Sequence, residues 1–349
     1  MKQNPPTRCS SFKSDNLKSA IQNLKWLGLL VIVFVLVVAG TVAQGQQTKR
    51  IPRVGLLLTD ESSPPSPNVE TFRQGLRDLG YIEGKNIILE YRYAEGKIDR
   101  LPQLAEELVR LPVDVIVTAL SPAIHAAKRA TDTIPIVFAV SGNPMATRYV
   151  ATLARPGGNA TGLSVMDYEL SGKRLELLTE ALRKVSRVAV LWNPGNGAMV
   201  LKMKEVQGAA QALRVKLKSL EVRDSQDFDQ ALAELPREHP AALLTLADPL
   251  TVFHRDRIIE TATKSRVPGM YEERGFVEAG GLMSYGPSIE ANYRRAATYV
   301  DKILKGTKPA ELPVEQPMKF ELVINLKAAK QIGATIPQSV LYRADKVIK

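Results

Sequence analysis

From residue 51 onward, short and mostly apolar runs alternate with segments whose apolar residues recur every three or four positions. The runs at 54–59, 86–93, 113–119 and 134–140 read as strands. Between them, Phe72, Leu76 and Leu79, then Leu101, Leu104, Leu108 and Leu111, then the stretch from Pro122 to Ala130 read as helices. A strand apolar on both faces must be covered on both, and strand–helix–strand order makes neighbouring strands parallel. After a run at 161–165 the pattern restarts. Leu170, Leu175, Leu178 and Leu182 share a helical face, and strands follow at 188–192, 215–222, 241–246 and 267–271. The fold class is therefore α/β, in two halves of roughly four or five strands each. A helix at 289–305, a Pro-rich stretch at 308–317 and an ordered pattern at 319–333 come after the second half, so the chain is expected to cross between lobes more than once.

Residues 26–43 carry no charge and follow a basic leader closed by Lys25. This is the layout of a signal peptide, with Thr41 and Ala43 placed for cleavage before Gln44. The 18-residue run would also span roughly 27 Å as a helix, so residues 1–43 read as a signal peptide or an N-terminal membrane anchor. In both readings the basic residues stay inside and the remaining chain is exported. Cys9, the single cysteine, precedes the apolar run, so it is not a lipoprotein cysteine, and the exported chain has no disulfide.

Of the net charge of +11, residues 1–43 hold +4 (Lys2, Arg8, Lys13, Lys18 and Lys25 against Asp15), which leaves +7. That is too modest and too scattered for a nucleic-acid surface. His125, His239 and His254 form no close cluster, and no HExxH or CxxC pattern occurs, so no metal is expected. GxGxxG, GxxxxGK[ST] and GxSxG are also missing. No catalytic set and no cofactor grip emerges, and the reading is of a protein that is not an enzyme.

In open parallel sheets, ligands bind beyond the carboxyl ends of the strands. That rule selects the loop 59–64, the loops at Ser121 and at Ser141–Asn143, and in the second half Asn193–Asn196, Asp248 and the segment after Tyr271. Ser121 and Ser141 stand near helix starts, where hydroxyls and free N–H groups hold a carboxylate; capping the helix is the alternative role. Asp248 either pairs with a ligand ammonium or hydroxyl, or caps the helix after it. Tyr271 and Tyr285 either stack on a ligand or fill the core. RPGGNATG at 155–162 reads either as a tight turn into the strand at 161–165 or as a loop presenting N–H groups near a cleft.

Several long strings resemble, in order, the substrate-binding components of bacterial ABC importers, in the family that includes tryptophan- and tyrosine-type binding proteins. They include FRQGLRDLGYIEGKNIILEYRYAEG at 72–96, TIPIVFAVSGNP at 133–144, LARPGGNATGLS at 153–164, RVAVLWNPGN at 187–196 and LPVEQPMKFELVINLKAAKQIGATIP at 312–337. The resemblance covers residues 51–349. It implies a two-lobed type I periplasmic-binding-protein fold, each lobe a parallel sheet flanked by helices, with the ligand held between the lobes. Lobe one would hold 51–165 plus 286–310, and lobe two 166–285 plus 311–349. Ligand contacts would come from Ser63, Ser121, Ser141 and Asn143 in lobe one, and from Asn193, Asp248 and Tyr271 in lobe two. The implied partners are a small organic solute of the amino-acid or aromatic kind and a permease with a separate ATPase subunit. A monomer is the default state, no cofactor is implied, and a membrane-anchored sensory module is the rival reading.

Overall fold

The structure is a computed structural model that describes residues 50–60, 66–165, 167–182, 185–238 and 240–349. The leader at 1–43 lies outside the described residues, as do Ser63, Met166 and His239.

Lobe one is built on a five-stranded sheet in the order β2-β1-β3-β4-β5, with every pairing parallel. Its strands are β1 (Arg53–Leu58), β2 (Ile88–Tyr93), β3 (Val115–Ala119), β4 (Ile136–Ser141) and β5 (Ala160–Ser164). Helices α1 (Pro67–Asp78), α2 (Leu101–Arg110) and α3 (Ser121–Ala130) connect the strands. Side chains alternate across a strand, and β1 shows what its apolar run is for. Val54, Leu56 and Leu58 pack with Phe72 and Leu76 of α1, while Leu57 packs on the opposite face with Leu104 and Leu108 of α2. The Gly-rich turn feeds β5, where Gly162 sits at φ +148° against the Phe138 carbonyl; an added Cβ would stand 2.0 Å from that oxygen. Asn159 in the same turn donates both amide hydrogens, to the carbonyls of Thr131 and Ile134 at 2.9 Å each. The turn is thereby accounted for as structure.

Lobe two has α4 (Asp167–Ala181), β6 (Arg187–Trp192), α5 (Gly197–Leu213), β7 (Lys216–Glu221), α6 (Ser225–Glu234) and β8 (Ala242–Thr245). It continues through α7 (Pro249–Phe253), α8 (Arg255–Lys264), β9 (Gly269–Tyr271), α9 (Arg274–Glu278) and β10 (Met283–Gly286). The same two-faced logic holds. Val188, Val190 and Trp192 of β6 pack with α4 and α5, while Ala189 and Leu191 pack with Phe228, Ile258 and Phe276.

After β10 the chain returns to lobe one as α10 (Ile289–Leu304), which lies along α1 and covers the same face of the first sheet. It then re-enters lobe two as β11 (Glu321–Asn325), followed by α11 (Leu326–Ile332), α12 (Gln338–Leu341) and β12 (Lys346–Ile348). The second sheet therefore has seven strands, in the order β12-β11-β10-β9-β8-β6-β7. Its β7-β6-β8-β9-β10 part is parallel, and β11 runs antiparallel to β10. The reversal follows from the path: β10 leaves lobe two at the edge where β11 re-enters it, with no crossover helix between them in that lobe. The strand count exceeds the four or five expected, because β10 and β12 are too short and too polar to stand out.

The lobes are joined by three passages of chain, after β5, between β10 and α10, and before β11. The first and third run side by side: Ser164 N–H donates to Glu315 O (2.8 Å), and Glu315 N–H donates to Gly162 O (3.1 Å).

Candidate functional site

The carboxyl ends of the two sheets face a common cleft. An open cavity of about 1060 Å³ separates α2 and α3 of lobe one from the β6–α5 loop and the start of α5 in lobe two. Beneath it lies a narrow recess of about 20 Å³, bounded by Leu120, Ser121, Val140 and Gly142 on one side and Tyr168, Asn196, Met199 and Lys202 on the other. A space of ~10–15 Å³ holds one water, so the recess admits one small polar group. Ser121 and Asn196 line both spaces.

Ser121 opens α3 but does not cap it. The cap position is Leu120, at φ +66° and ψ 149°, with no side-chain cap bond. That backbone region is nearly reserved for glycine and costs about 1–3 kcal/mol in other residues. The Leu120 N–H is anchored to Val140 O at 2.9 Å, which ties the strained turn to β4. The N–H groups of Ser121 and Ala123 have no acceptor within the helix, so this end presents donors and positive potential to the cleft. The Ser121 carbonyl accepts from the Tyr149 hydroxyl at 2.9 Å.

Ser141 ends β4 and is 1% exposed, and its Oγ has no hydrogen-bond partner. Its neighbours Val140 and Gly142 line the recess. A buried hydroxyl without a partner is costly. Asn143 is employed differently. Its Oδ1 accepts from Ala146 N–H at 3.0 Å and closes the turn after β4, and the residue does not line the cleft.

In lobe two, Asp248 is the organiser. It is wholly buried and caps α7, accepting from Leu250 N–H at 2.9 Å. It also accepts from Asn193 Nδ2 at 3.3 Å and Asn196 Nδ2 at 2.8 Å. Burial pushes its carboxyl above the ordinary value, against the pull of the Asn196, Leu250 and Asn193 donors. Asn193 and Asn196 line the cleft, and each uses its own Oδ1 to hold the loop, on Gly195 N–H (2.9 Å) and Ala198 N–H (3.1 Å). Asp248 thus fixes the rim of the cleft without lining it. Tyr271 stands apart from all of this: it is 1% exposed and stacks on Phe276 with ring centroids 4.8 Å apart, inside the core of lobe two.

Two charged side chains at the site, Lys202 and Arg174, have no counterpart among the residues chosen from sequence, and both meet Glu272 in the segment after Tyr271 that the strand-end rule selects. Glu272, directly after β9, is buried and receives Lys202 Nζ at 2.6 Å and Arg174 Nη1 at 3.1 Å. Arg174 also donates from Nε to the Tyr285 carbonyl at 2.7 Å, one residue before the second passage between lobes. A buried carboxylate between two cations is kept because breaking it would strand a charge in a low-dielectric interior. Glu272 stands at a strand end, where the placement rule points. Lys202 sits in the middle of α5 and reads as one more surface lysine beside Lys204.

Among the described residues no group of His, Cys, Asp and Glu is arranged to hold a metal ion, and no helix is long and apolar enough to cross a membrane.

The chain is similar to several known proteins. A curated relative from Clostridioides difficile (strain R20291), a tyrosine-binding protein, is 25% identical over 261 residues, which is 75% of each chain. A solved structure of a conserved domain protein from Vibrio cholerae is 31% identical, with a TM-score of 0.78, covering 85% of this chain and all of that one. The ABC domain in complex with L-Trp from Streptococcus pneumonia has the same fold, with a TM-score of 0.78 at 23% identity over 85% of this chain and 99% of that one. The model of the family described as ABC transporter substrate binding protein matches residues 65–348. With residues of both lobes lining a polar recess and that match across nearly all of the described chain, the protein belongs to the ABC transporter substrate binding protein family, the extracytoplasmic, non-catalytic components that capture a small organic solute for an ABC importer.

Proposed function

We propose that the chain captures a solute bearing a carboxylate, holds that group in the recess between the lobes, and delivers the closed complex to its permease as a monomer. The observation that supports this is the convergence of donors from both lobes on one small space. Lobe one brings the start of α3 and, behind the lining residues Val140 and Gly142, the buried Ser141 hydroxyl; lobe two brings the start of α5 and the Lys202 ammonium, which also pairs with Glu272. Helix N-termini and an ammonium together favour an oxyanion. The tyrosine and tryptophan of the relatives are themselves carboxylates.

On this reading Ser121 and Ser141 contact the carboxylate, and Asn193 and Asn196 form the facing rim. Asp248 positions that rim from behind. Asn143 holds the turn after β4, and Tyr271 supports the core. Ser63 belongs to the loop after β1 and is retained as a contact from lobe one. The division into 51–165 plus 286–310 and 166–285 plus 311–349 gives the two bodies that close, and residues 1–43 are the export leader. The test is calorimetry on the full chain from an exporting host, with carboxylic acids and their primary amides. The acids are expected to bind at least about tenfold more tightly, equal to 1.4 kcal/mol. Equal binding of the amides would refute a carboxylate site.

A further inference from the structure

We propose that Arg174 is a positioning residue for closure, clamping the second passage between the lobes to the body of lobe two. It rests on capture between the lobes and is independent of whether the solute is a carboxylate. If the lobes turn as rigid bodies about a few residues, each passage needs an anchor on both sides. On the side of lobe one, the Glu315 backbone pairs with Gly162 and Ser164, and its carboxylate pairs with Arg295 of α10. These bonds tie the third passage to the first, and to the helix that follows the second.

On the side of lobe two the anchor is Arg174. It stands on α4, the helix that the first passage enters, and it is wholly buried. Its Nε donates at 2.7 Å to the carbonyl of Tyr285, the next-to-last residue of β10 before the second passage. Its Nη1 lies 3.1 Å from Glu272, which also holds Lys202 of α5 at 2.6 Å. One guanidinium thus joins α4, the end of β10 and the residue after β9, and through Glu272 and Lys202 this chain of charges reaches the wall of the recess. Gly286 shows how closely the strand end is seated: a Cβ there would stand 2.3 Å from the Glu272 carbonyl oxygen and 3.4 Å from Arg174 Nη2. Two residues later Ser288 caps α10, accepting from Ala291 N–H at 3.2 Å. The pivot of this passage is thereby narrowed to Pro287 and its neighbouring bonds. A planar guanidinium fixes two bond directions at once, which an ammonium on a flexible stem does not. That gives a geometric use to buried charges whose desolvation makes them a poor source of stability.

The test is made without solute, on the full chain. It combines hydrogen exchange of the segment 284–289 with the distance between spin labels introduced by Gln103→Cys and Lys204→Cys, both exposed positions, in a Cys9→Ser background. Arg174→Met leaves Lys202 and Glu272 as a balanced pair and releases the Tyr285 carbonyl. Exchange in 284–289 should quicken about tenfold, as for the loss of one charged hydrogen bond, and the distance distribution should broaden. The segment 225–234, packed on the opposite face of the second sheet, should keep its original exchange. Arg174→Lys keeps the charge without the fork and should behave like Arg174→Met. Gly286→Ala lifts the strand end away from Glu272 with Arg174 in place, and should also broaden the distribution. Unchanged exchange and distances in Arg174→Met overturn the proposal. Faster exchange at 225–234 as well would make Arg174 a general packing residue, and full rescue by Arg174→Lys would make it a charge rather than a clamp; either result overturns the proposal too. Should Arg174→Met fail to fold, Gly286→Ala decides, and an unchanged distribution in that variant is the contrary result.

Discussion

Asp248 illustrates how a residue shapes binding without touching a solute. Its carboxylate ends an apolar strand, caps a short helix and restrains two asparagines. Asp248→Ala removes the cap and leaves buried amide donors without an acceptor. The expected loss is about 1–3 kcal/mol in urea unfolding, with weaker solute binding as the Asn193–Asn196 loop relaxes. Full stability in that variant would show that the asparagines do not depend on it. The loops at Ser121, Ser141, Asn193 and Asp248 were legible in the sequence because strand ends can be located from apolar runs alone. Lys202 was not. Its partners Ala247 and Glu272 lie 45 and 70 residues away, and only the fold brings them to α5. Tyr271 shows the opposite error of inference: an aromatic residue at a strand end is equally suited to a core, and here Phe276 receives it.

Among the elements, α10 and the passage before β11 matter most, because they join the lobes. Arg295 on α10 pairs with both Glu315 oxygens, at 2.8 and 2.7 Å, and the Glu315 backbone pairs with β5. The guanidinium holds the Glu315 carboxyl below its ordinary value. A depressed carboxyl contributes stability above the unfolded-state value and loses it as pH falls through the folded one. The pair is 43% and 38% exposed, so solvent screening limits its worth to about 0.5 kcal/mol. Arg295→Ala should cost that much at neutral pH, and the cost should fade only as pH falls through the lowered Glu315 value, below the ordinary carboxylate range; a penalty independent of pH would assign the loss to packing. The long runs of β1, β3, β4, β6 and β8 announced themselves because both faces are buried. β10 and β12, four and three residues long, carry too little pattern to read.

For the whole molecule the central event is closure. One contact bridges the lobes away from the recess. Gly96, in the turn after β2, lies flat on the Phe253 ring at the end of α7, and a Cβ there would meet ring carbons at 2.8 Å. The turn has φ +54° at Glu95 and +74° at Gly96, so glycine serves both backbone and contact. Phe253→Ala removes the bridge and leaves the recess intact. It is expected to weaken solute binding several-fold and to raise the radius of gyration of the bound state in solution scattering. Unchanged values would mean that the contact does not contribute to closure.

The most direct test is the distance between the lobes, measured by electron–electron double resonance on the full chain. Cys9→Ser would carry spin labels at Gln103 of α2 and Lys204 of α5, both exposed. A carboxylate solute that binds by calorimetry should shorten and narrow the distance distribution, and its primary amide should leave the distribution unchanged. A saturating acid that binds without moving the lobes would contradict capture between them.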